Sequence, residues 1–112
     1  MSMVTIYEAL ADPTRRRILD LLRERPRLVG ELTELVGISQ PGVSKQLKVL
    51  REVGLVNVRQ DAQRRWYELR PDPLTEVEDW LSPYRQLLES RYERLDKLLD
   101  EMKKKEQPRD ES

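Results

Sequence analysis

The residues whose types and spacing indicate chemistry lie between Ser39 and Lys48, in the segment GISQPGVSKQLKVLREVGLV. Val43, Leu47 and Leu50 recur at helical spacing, so they share one face that must pack against other elements. The opposite face and its flanks carry short, polar or cationic residues, namely Gln40, Pro41, Gly42, Ser44, Lys45 and Lys48. Such a face suits a helix pressed into the major groove of DNA, where Lys and Gln reach phosphates or base edges. The alternative is an ordinary surface helix with its polar residues in solvent.

The dipeptide Pro41-Gly42 is typical of turns, yet it is compatible with the first turn of a helix. Proline lacks only a backbone donor, and that donor has no intrahelical partner in the first turn. With Ser39 as the N-cap, the sequence predicts a recognition helix over residues 39–53 that ends at Gly54. Because Gly42 has no side chain, we expect its backbone to lie close to another surface.

Two helices are predicted upstream, in TIYEALADPTRRRILDLLRER, with Thr5 and Asp12 as N-caps. The second helix contains three consecutive arginines, which we expect to be solvated; a contact to a DNA phosphate is the alternative for one of them. A third, short helix runs from about Val29 to Val36, and Gly37 follows where a helix commonly stops. We expect Ile38 to enter the core. A helix, a short turn with glycine and a longer helix form the helix-turn-helix pattern.

The next segment, LVNVRQDAQRRWYELR, predicts a β-hairpin. Strand-forming residues flank the polar stretch QDAQRR, which reads as the loop. The ribbon is expected to have two strands and a basic tip that contains Arg59, Arg64 and Arg65. A hairpin that follows a helix-turn-helix is called a wing, and its basic tip adds to the DNA-binding interpretation.

The segment after Pro73 predicts a long amphipathic helix that reaches about residue 106. Pro83 lies inside it and should either kink the helix or split it after Ser82. A seam with alternating three- and four-residue steps contains Leu81, Tyr84, Leu88, Leu95, Leu98 and Met102, with Arg91 as its one polar residue. One short domain could not fully cover this stripe, so we expect it to form a dimer interface. Packing within one subunit is the alternative.

Composition excludes several classes of protein. The chain of 112 residues has no Cys and no His, which removes thiolate metal ligands and the usual general base. No Gly-rich phosphate loop and no paired carboxylates in an apolar setting occur, so no catalytic constellation is visible. Aromatic residues make up 5% and Phe is absent, so the core must be aliphatic.

The net charge of zero conceals a basic middle. Residues 13–70 hold 13 Arg or Lys against 7 Asp or Glu, a balance of +6, whereas residues 1–12 carry −2 and residues 71–112 carry −4. This distribution is typical of a module that binds a polyanion, with chance clustering of solvated charges as the alternative. There is no signal peptide or membrane-length apolar run, so we expect a soluble, cytoplasmic protein without a membrane partner.

Three stretches, ALADPTRRRILDLL, VGELTELVGISQPGVSKQLKVLREVGLV and RRWYEL, resemble the arsenic-repressor-like (ArsR) family of bacterial winged-helix regulators. The resemblance covers about residues 5–70. The tail is similar to a subgroup that lacks metal sites and carries a WLxPY helix. The family implies a homodimeric repressor, built through its first and last helices, that binds an imperfect palindrome.

The resemblance also implies roles for individual residues. In the recognition helix it implies DNA contacts at Ser39, Gln40, Gly42, Ser44, Lys45, Gln46 and Lys48. In the wing it implies contacts at Arg59, Arg64 and Arg65. The first and last helices would place the dimer interface at Ile6, Tyr7, Leu81, Tyr84, Leu88, Leu95 and Leu98.

One departure concerns metal sensing. Metal-sensing members use Cys in the helix that reads LVGEL in this chain. At those positions this chain has Leu28 and Val29, and the chain contains no His. Carboxylates alone make a poor site for a thiophilic metal. We therefore expect no metal, no cofactor and no derepression by arsenic or zinc, while a small-molecule or protein inducer stays open.

The sequence thus predicts a mainly α fold with a small β-hairpin (α+β), a winged helix-turn-helix within one domain of residues 1–106. Its DNA-binding core would span 5–70 and its dimerisation helix 73–106, followed by a flexible tail at 107–112. The expected partners are operator DNA and a second copy of the chain. The alternative function is a winged-helix adaptor that binds another protein and no DNA.

Overall fold

The computed structural model describes residues 4–106 and divides the chain into two compact units, residues 1–77 and 78–112. The described part contains five helices and three strands. In chain order these are α1 (Ile6–Ala11), α2 (Pro13–Glu24), β1 (Arg27–Leu28), α3 (Val29–Val36), α4 (Gln40–Glu52), β2 (Val56–Asp61), β3 (Arg64–Leu69) and α5 (Leu74–Glu106). The tail predicted at 107–112 lies outside the described residues.

The helix starts follow the predicted caps. The Thr5 hydroxyl accepts a hydrogen bond from the Glu8 N–H over 3.1 Å, and the Asp12 carboxylate accepts one from the Thr14 N–H over 2.8 Å. The Ser39 hydroxyl accepts from the Gly42 N–H over 3.2 Å. Each cap satisfies a backbone donor that has no partner inside its helix. The stretch SQPG is therefore the start of α4 and not a loop.

The helix ends also follow the predicted glycines. Gly37 and Gly54 adopt left-handed backbone conformations, with φ of 80° and 79°. At the end of α4, the Leu55 N–H donates to the Leu50 carbonyl and the Gly54 N–H to the Arg51 carbonyl, both over 3.0 Å. This pair of bonds is a Schellman motif, and the two leucines it joins are fully buried. The motif turns the chain directly from α4 into the wing.

The core of the first unit is aliphatic, as predicted. It consists of Ile6, Ala9, Ile18, Leu19, Leu21, Leu22, Leu32, Val43, Leu47, Leu50, Leu55 and Val56. The predicted inner face of α4, Val43, Leu47 and Leu50, is fully covered. Burying each of these side chains stabilises the fold by about 1.5–3 kcal/mol. The packing therefore fixes which face of α4 remains outside.

Ile38 does not enter the core, and the prediction that it would was wrong. Its side chain is 37% exposed and lies over the N-terminal end of α4. A Cβ on Gly42 would be 3.2 Å from the Ile38 Cδ1 and 3.2 Å from the Ser39 Oγ. Gly42 thus makes room for a neighbouring side chain and for the cap, within the protein itself.

The sheet has three strands in the order β1-β3-β2, whereas the sequence predicted two. β1 is antiparallel to β3, with Arg27 opposite Tyr67 and Leu28 opposite Trp66. β2 and β3 are antiparallel and joined by the two residues Ala62 and Gln63, with Asp61 opposite Arg64. A two-residue strand carries no periodic signal, because alternation needs four or more residues to be recognised.

The helix α5 continues through Pro83, so of the two predicted outcomes the split did not occur. In the second unit, the rings of Trp80 and Tyr84 lie one helical turn apart with centroids separated by 5.0 Å. Most of the large apolar side chains of this unit are exposed, namely Trp80, Tyr84, Leu87, Leu88, Tyr92, Leu95, Leu98, Leu99 and Met102. No helix among residues 4–106 is long and apolar enough to cross a membrane.

Candidate nucleic-acid interface

The outer face of α4 is polar, cationic and open. Ser44, Lys45 and Lys48 are exposed, as are Ser39 and Gln40 at the N-terminal end of the helix. Neither lysine forms an ion pair with any side chain of residues 4–106. Both ammonium groups are therefore free to meet an external anion. The backbone of Gly42 is half-buried beneath Ile38, so it is less open than its neighbours.

Gln46 differs from the other predicted contacts of α4. It lies on the flank of the helix and is half-buried. Its Oε1 accepts a hydrogen bond from the Arg15 Nη1 over 2.8 Å. The structure therefore joins Gln46 to α2 and does not group it with the exposed lysines.

Arg15 is not the solvated side chain that the sequence predicted, because its side chain is only 17% exposed. Its Nε donates to the Ala9 carbonyl over 2.7 Å and its Nη2 to the Glu8 carbonyl over 2.9 Å. The next arginine, Arg16, donates to the Leu10 carbonyl over 2.7 Å. The two side chains thus satisfy carbonyls at the end of α1, which have no partner within that helix. Arg17 remains exposed as predicted.

In the wing, Arg59 is held by carboxylates of its own hairpin. Its Nε donates to the Glu68 Oε1, and its Nη1 lies 3.9 Å from the Asp61 Oδ2. Because the two strands pair with Asn57 opposite Glu68, all three charged side chains share one face of the ribbon. The positive charge of Arg59 is therefore partly neutralised before any ligand binds.

Arg64 and Arg65 lie on opposite faces of the ribbon, because successive residues of a strand point to opposite sides. Arg64 is opposite Asp61 and shares the face of Arg59 and Trp66. Arg65 is opposite Gln60 and shares the face whose inner end packs on the core. Both side chains are exposed and neither forms an ion pair within residues 4–106. The structure thus separates two residues that the sequence placed together.

Comparison with known proteins identifies this arrangement. Residues 12–58 match the family described as bacterial regulatory protein, arsR family. The chain is 40% identical over 92 residues to the HTH-type transcriptional regulator Rv2034 of Mycobacterium tuberculosis, covering 75% of this chain and 86% of that protein. It is 32% identical over 79 residues to the transcriptional repressor SdpR of Bacillus subtilis, covering 70% and 88%. The chain belongs to the ArsR family.

A solved structure agrees with this assignment. The crystal structure of an ArsR family transcriptional regulator has a TM-score of 0.65 and 34% sequence identity, and covers 76% of this chain and 88% of that one. The mainly helical winged-helix fold predicted from the sequence is thereby confirmed. As an ArsR-family member the chain is a DNA-binding transcriptional regulator and not an enzyme.

The predicted dimerisation residues of this ArsR-family chain lie in α1 and in α5, and they differ in exposure. Ile6 is 5% exposed and buried in the core of its own unit, so within one chain it offers no surface. Tyr7 is partly exposed, and its hydroxyl donates to the Glu76 carbonyl over 3.4 Å. In α5, Tyr84, Leu88, Leu95 and Leu98 are exposed and Leu81 is half-buried.

The positions where metal-sensing ArsR proteins are expected to hold Cys have a structural role here. Leu28 pairs with Trp66 in the sheet, and Val29 begins α3. The Glu31 Oε1 accepts from the Leu28 N–H over 3.2 Å and so caps α3 from within its first turn. Among residues 4–106, no three His, Cys, Asp or Glu side chains come together as a metal site.

Proposed function

We propose that the chain is a homodimeric repressor that binds an imperfect palindrome through the recognition helix α4 and the wing. The observation that carries this proposal is the exposed face of α4, where Ser44 is open to solvent and Lys45 and Lys48 form no ion pair with residues 4–106. Unpaired ammonium groups on a helix face contribute most to the affinity for DNA, because each phosphate they neutralise releases a condensed counterion.

Within this proposal, Lys45 and Lys48 contact phosphates and set the register of the helix. Gln40 and Ser44 lie nearer the N-terminal end of α4, which in helix-turn-helix proteins is the part that reaches base edges. A glutamine amide can pair with adenine through one donor and one acceptor, so Gln40 is assigned to base readout. Ser39 is committed to the helix cap, which leaves its hydroxyl hydrogen for a phosphate oxygen.

The wing contributes a second, weaker set of phosphate contacts. Arg64 and Arg65 carry uncompensated charge, whereas Arg59 shares its charge with Glu68 and Asp61. Since Arg64 and Arg65 lie on opposite faces, we propose that one of them carries most of the wing contact. A hairpin beside a recognition helix can follow the backbone across the adjacent minor groove.

The dimer is proposed from the apolar stripe of α5. Soluble monomers rarely expose contiguous apolar patches this long. Residues Leu88, Leu95 and Leu98 recur at the steps of a helix-helix seam, and a second copy of the same helix would cover them. Two chains related by a two-fold axis would present their recognition helices about 34 Å apart, to successive major grooves. Relatives with the word repressor in their names include SdpR and the biofilm growth-associated repressor of Xylella fastidiosa.

The decisive experiment selects duplexes bound by the full chain from a random pool and then measures the mass of the complex. We expect an imperfect palindrome bound by two chains, with affinity that falls steeply as salt rises. Enrichment of a non-repeated site bound by one chain would refute the dimer and leave the DNA-binding function intact. No enrichment at low salt, together with a stable protein complex through α5, would favour the adaptor function.

The dimer interface can be tested separately in the chain with Leu95→Glu. A carboxylate in the middle of an apolar seam loses its hydration when the seam closes, at a cost of several kcal/mol. We expect a monomer by light scattering, with the helical content of the chain retained. Glu93→Gln, on the same turn of the helix, is the matched control. A Leu95→Glu chain that remains dimeric would place the interface elsewhere.

A further inference from the structure

The guanidinium of Arg15 connects three elements of the first unit. It donates to two carbonyls at the end of α1, those of Glu8 and Ala9, and to the Gln46 Oε1 of the recognition helix. Its Nη1 also lies 3.3 Å from the Asp12 Oδ2, which belongs to the residue that caps α2. All three guanidinium nitrogens are thus occupied, and the side chain is largely buried. Arg15 is therefore engaged mainly by groups of its own chain.

The chemistry of this contact fixes the orientation of Gln46. A guanidinium has donors only, so the side-chain amide must turn its oxygen toward Arg15 and its NH2 group away. One of the two lone pairs of the Gln46 oxygen is thus already used, and the orientation of the amide is set by Arg15 rather than by a base. The residue is 31 positions from Arg15 in the chain, so the bond ties two distant segments together.

The bridge is a polar route from α1 to α4. Charge-assisted hydrogen bonds of this kind are worth more than neutral ones and impose a fixed geometry, because the planar guanidinium holds its donors in one plane. A shift of α1 would have to break the bonds to Glu8 and Ala9 or carry the Arg15 guanidinium along, and with it Gln46. The orientation of the recognition helix is thereby linked to the position of α1.

We propose that Arg15 is a positioning residue, which acts through Gln46 to set the orientation of α4 relative to α1 and hence the spacing of the two recognition helices on DNA. This inference rests on the proposed function, since it requires a dimer on a palindrome, and on α1 taking part in the dimer interface, as the family resemblance implies. Changing the distance between half-sites by one base pair shifts them by 3.4 Å and rotates them around the duplex. A loosely held recognition helix tolerates that change better than a fixed one.

The test compares binding of full-length variants to the selected palindrome and to the same palindrome with its spacer lengthened or shortened by one base pair. The ratio of the affinities measures spacing discrimination, and it cancels any effect that is uniform across duplexes. Arg15→Lys keeps the charge and removes the planar guanidinium with its set of donors. Gln46→Met removes the acceptor and keeps a residue that favours helix. Gln46→Glu restores an acceptor, and Arg17→Lys is the control at an exposed arginine of the same helix.

We expect the discrimination ratio to fall about three- to tenfold in Arg15→Lys and in Gln46→Met, with no further fall in the double variant, because the two residues act as one unit. Gln46→Glu should recover most of the ratio, although its added charge lowers affinity for every duplex. Arg17→Lys should leave the ratio unchanged. Circular dichroism melting of each variant checks that the fold is retained.

Three results would overturn the proposal. One is an unchanged ratio in Arg15→Lys, and another is an equal loss of affinity on all duplexes in Gln46→Met, which would make Gln46 a direct phosphate contact. The third is a failure of Gln46→Glu to recover the ratio. If the wild-type chain selects no palindrome, the proposed function itself fails, and that result is obtained before any variant is compared.

Discussion

Ser39 and Gly42 form the first turn of the recognition helix as a pair. The Ser39 hydroxyl accepts the Gly42 N–H over 3.2 Å, and a Cβ added at Gly42 would lie 3.2 Å from that same hydroxyl. The cap therefore depends on the missing side chain as well as on the serine. The turn-like sequence SQPG is, for this reason, a compact helix N-terminus.

The pair leads to a coupled prediction. Ser39→Ala should destabilise the chain by about 1 kcal/mol, because it leaves a helix donor without its cap. Gly42→Ala should stabilise the chain by less than the usual ~0.5–1 kcal/mol of a Gly-to-Ala change in a helix, since the alanine methyl group crowds the cap. In the Ser39→Ala background the same change should be more favourable. Urea unfolding of the four chains measures the coupling, and strict additivity would contradict it.

The second prediction concerns Lys48. Lys48→Ala should weaken binding to every duplex and lower the slope of log affinity against log salt by about one unit, as for the loss of one phosphate contact. Lys103→Ala, in the last turn of α5, is the control for the loss of one positive charge. Titrations at several salt concentrations provide the slopes. An unchanged slope would remove Lys48 from the phosphate contacts.

The third prediction concerns Arg59 of the wing, whose charge is partly neutralised by Glu68 and Asp61. Glu68→Gln removes a carboxylate that holds Arg59, so the guanidinium becomes available to a phosphate. We expect tighter binding to all duplexes and a salt slope that rises by up to about one unit. The double variant Glu68→Gln with Arg59→Gln should lose this gain. If the gain persists without Arg59, it comes from the lost negative charge alone.

The fourth prediction concerns the tip of the wing. Ala62 has φ of 55°, a left-handed conformation that costs a residue with a Cβ about 1–2 kcal/mol. Ala62→Gly should therefore stabilise the chain by up to about 1 kcal/mol, after the extra chain entropy of glycine is subtracted. Gly37 has φ of 80°, so Gly37→Ala should destabilise the chain. Thermal melting measures both, and a destabilised Ala62→Gly chain would contradict the strained turn.

The fifth prediction is a pH dependence of stability. The Arg25 guanidinium and the Leu28 N–H, which both donate to Glu31, hold the pKa of its carboxyl below the usual range. A carboxyl whose pKa is lowered by folding stabilises the native state above its unfolded pKa of about 4.3. That contribution is lost as the pH falls through the lower, folded pKa.

Glu31→Gln should therefore reduce stability near pH 6 and flatten its decline below about pH 4. The measurement is urea unfolding at a series of pH values. Glu34→Gln, at an exposed glutamate of the same helix, is the control. Parallel profiles of unfolding free energy against pH for Glu31→Gln and the wild type would show that the Glu31 carboxyl contributes nothing to the pH dependence of stability.

The elements that the sequence predicted correctly are those with local causes. The caps at Thr5, Asp12 and Ser39 and the glycine ends at Gly37 and Gly54 involve groups within about five residues of one another. The buried face of α4 follows from the helical period alone. The strand-forming residues on both sides of QDAQRR predicted the wing, and the family resemblance over residues 5–70 added the regulatory function.

Most errors arose where distant segments meet. Whether Arg15 is solvated depends on Gln46, 31 residues away, and on the carbonyls at the end of α1. The strand β1 exists because β3 supplies partners for two residues that show no pattern of their own. Arg59, Arg64 and Arg65 look equivalent in the sequence, and only the register of the hairpin separates them.

The sequence by itself therefore determined the helices, the wing, the aliphatic core and the cationic face of α4, because short-range hydrogen bonding and apolar periodicity are properties of neighbouring residues. The tertiary structure decided which polar side chains of that region are free and which are already bound. The physical reason is that a guanidinium or an amide pairs with whatever group folding brings within about 3 Å, and that group is most often far away in the chain.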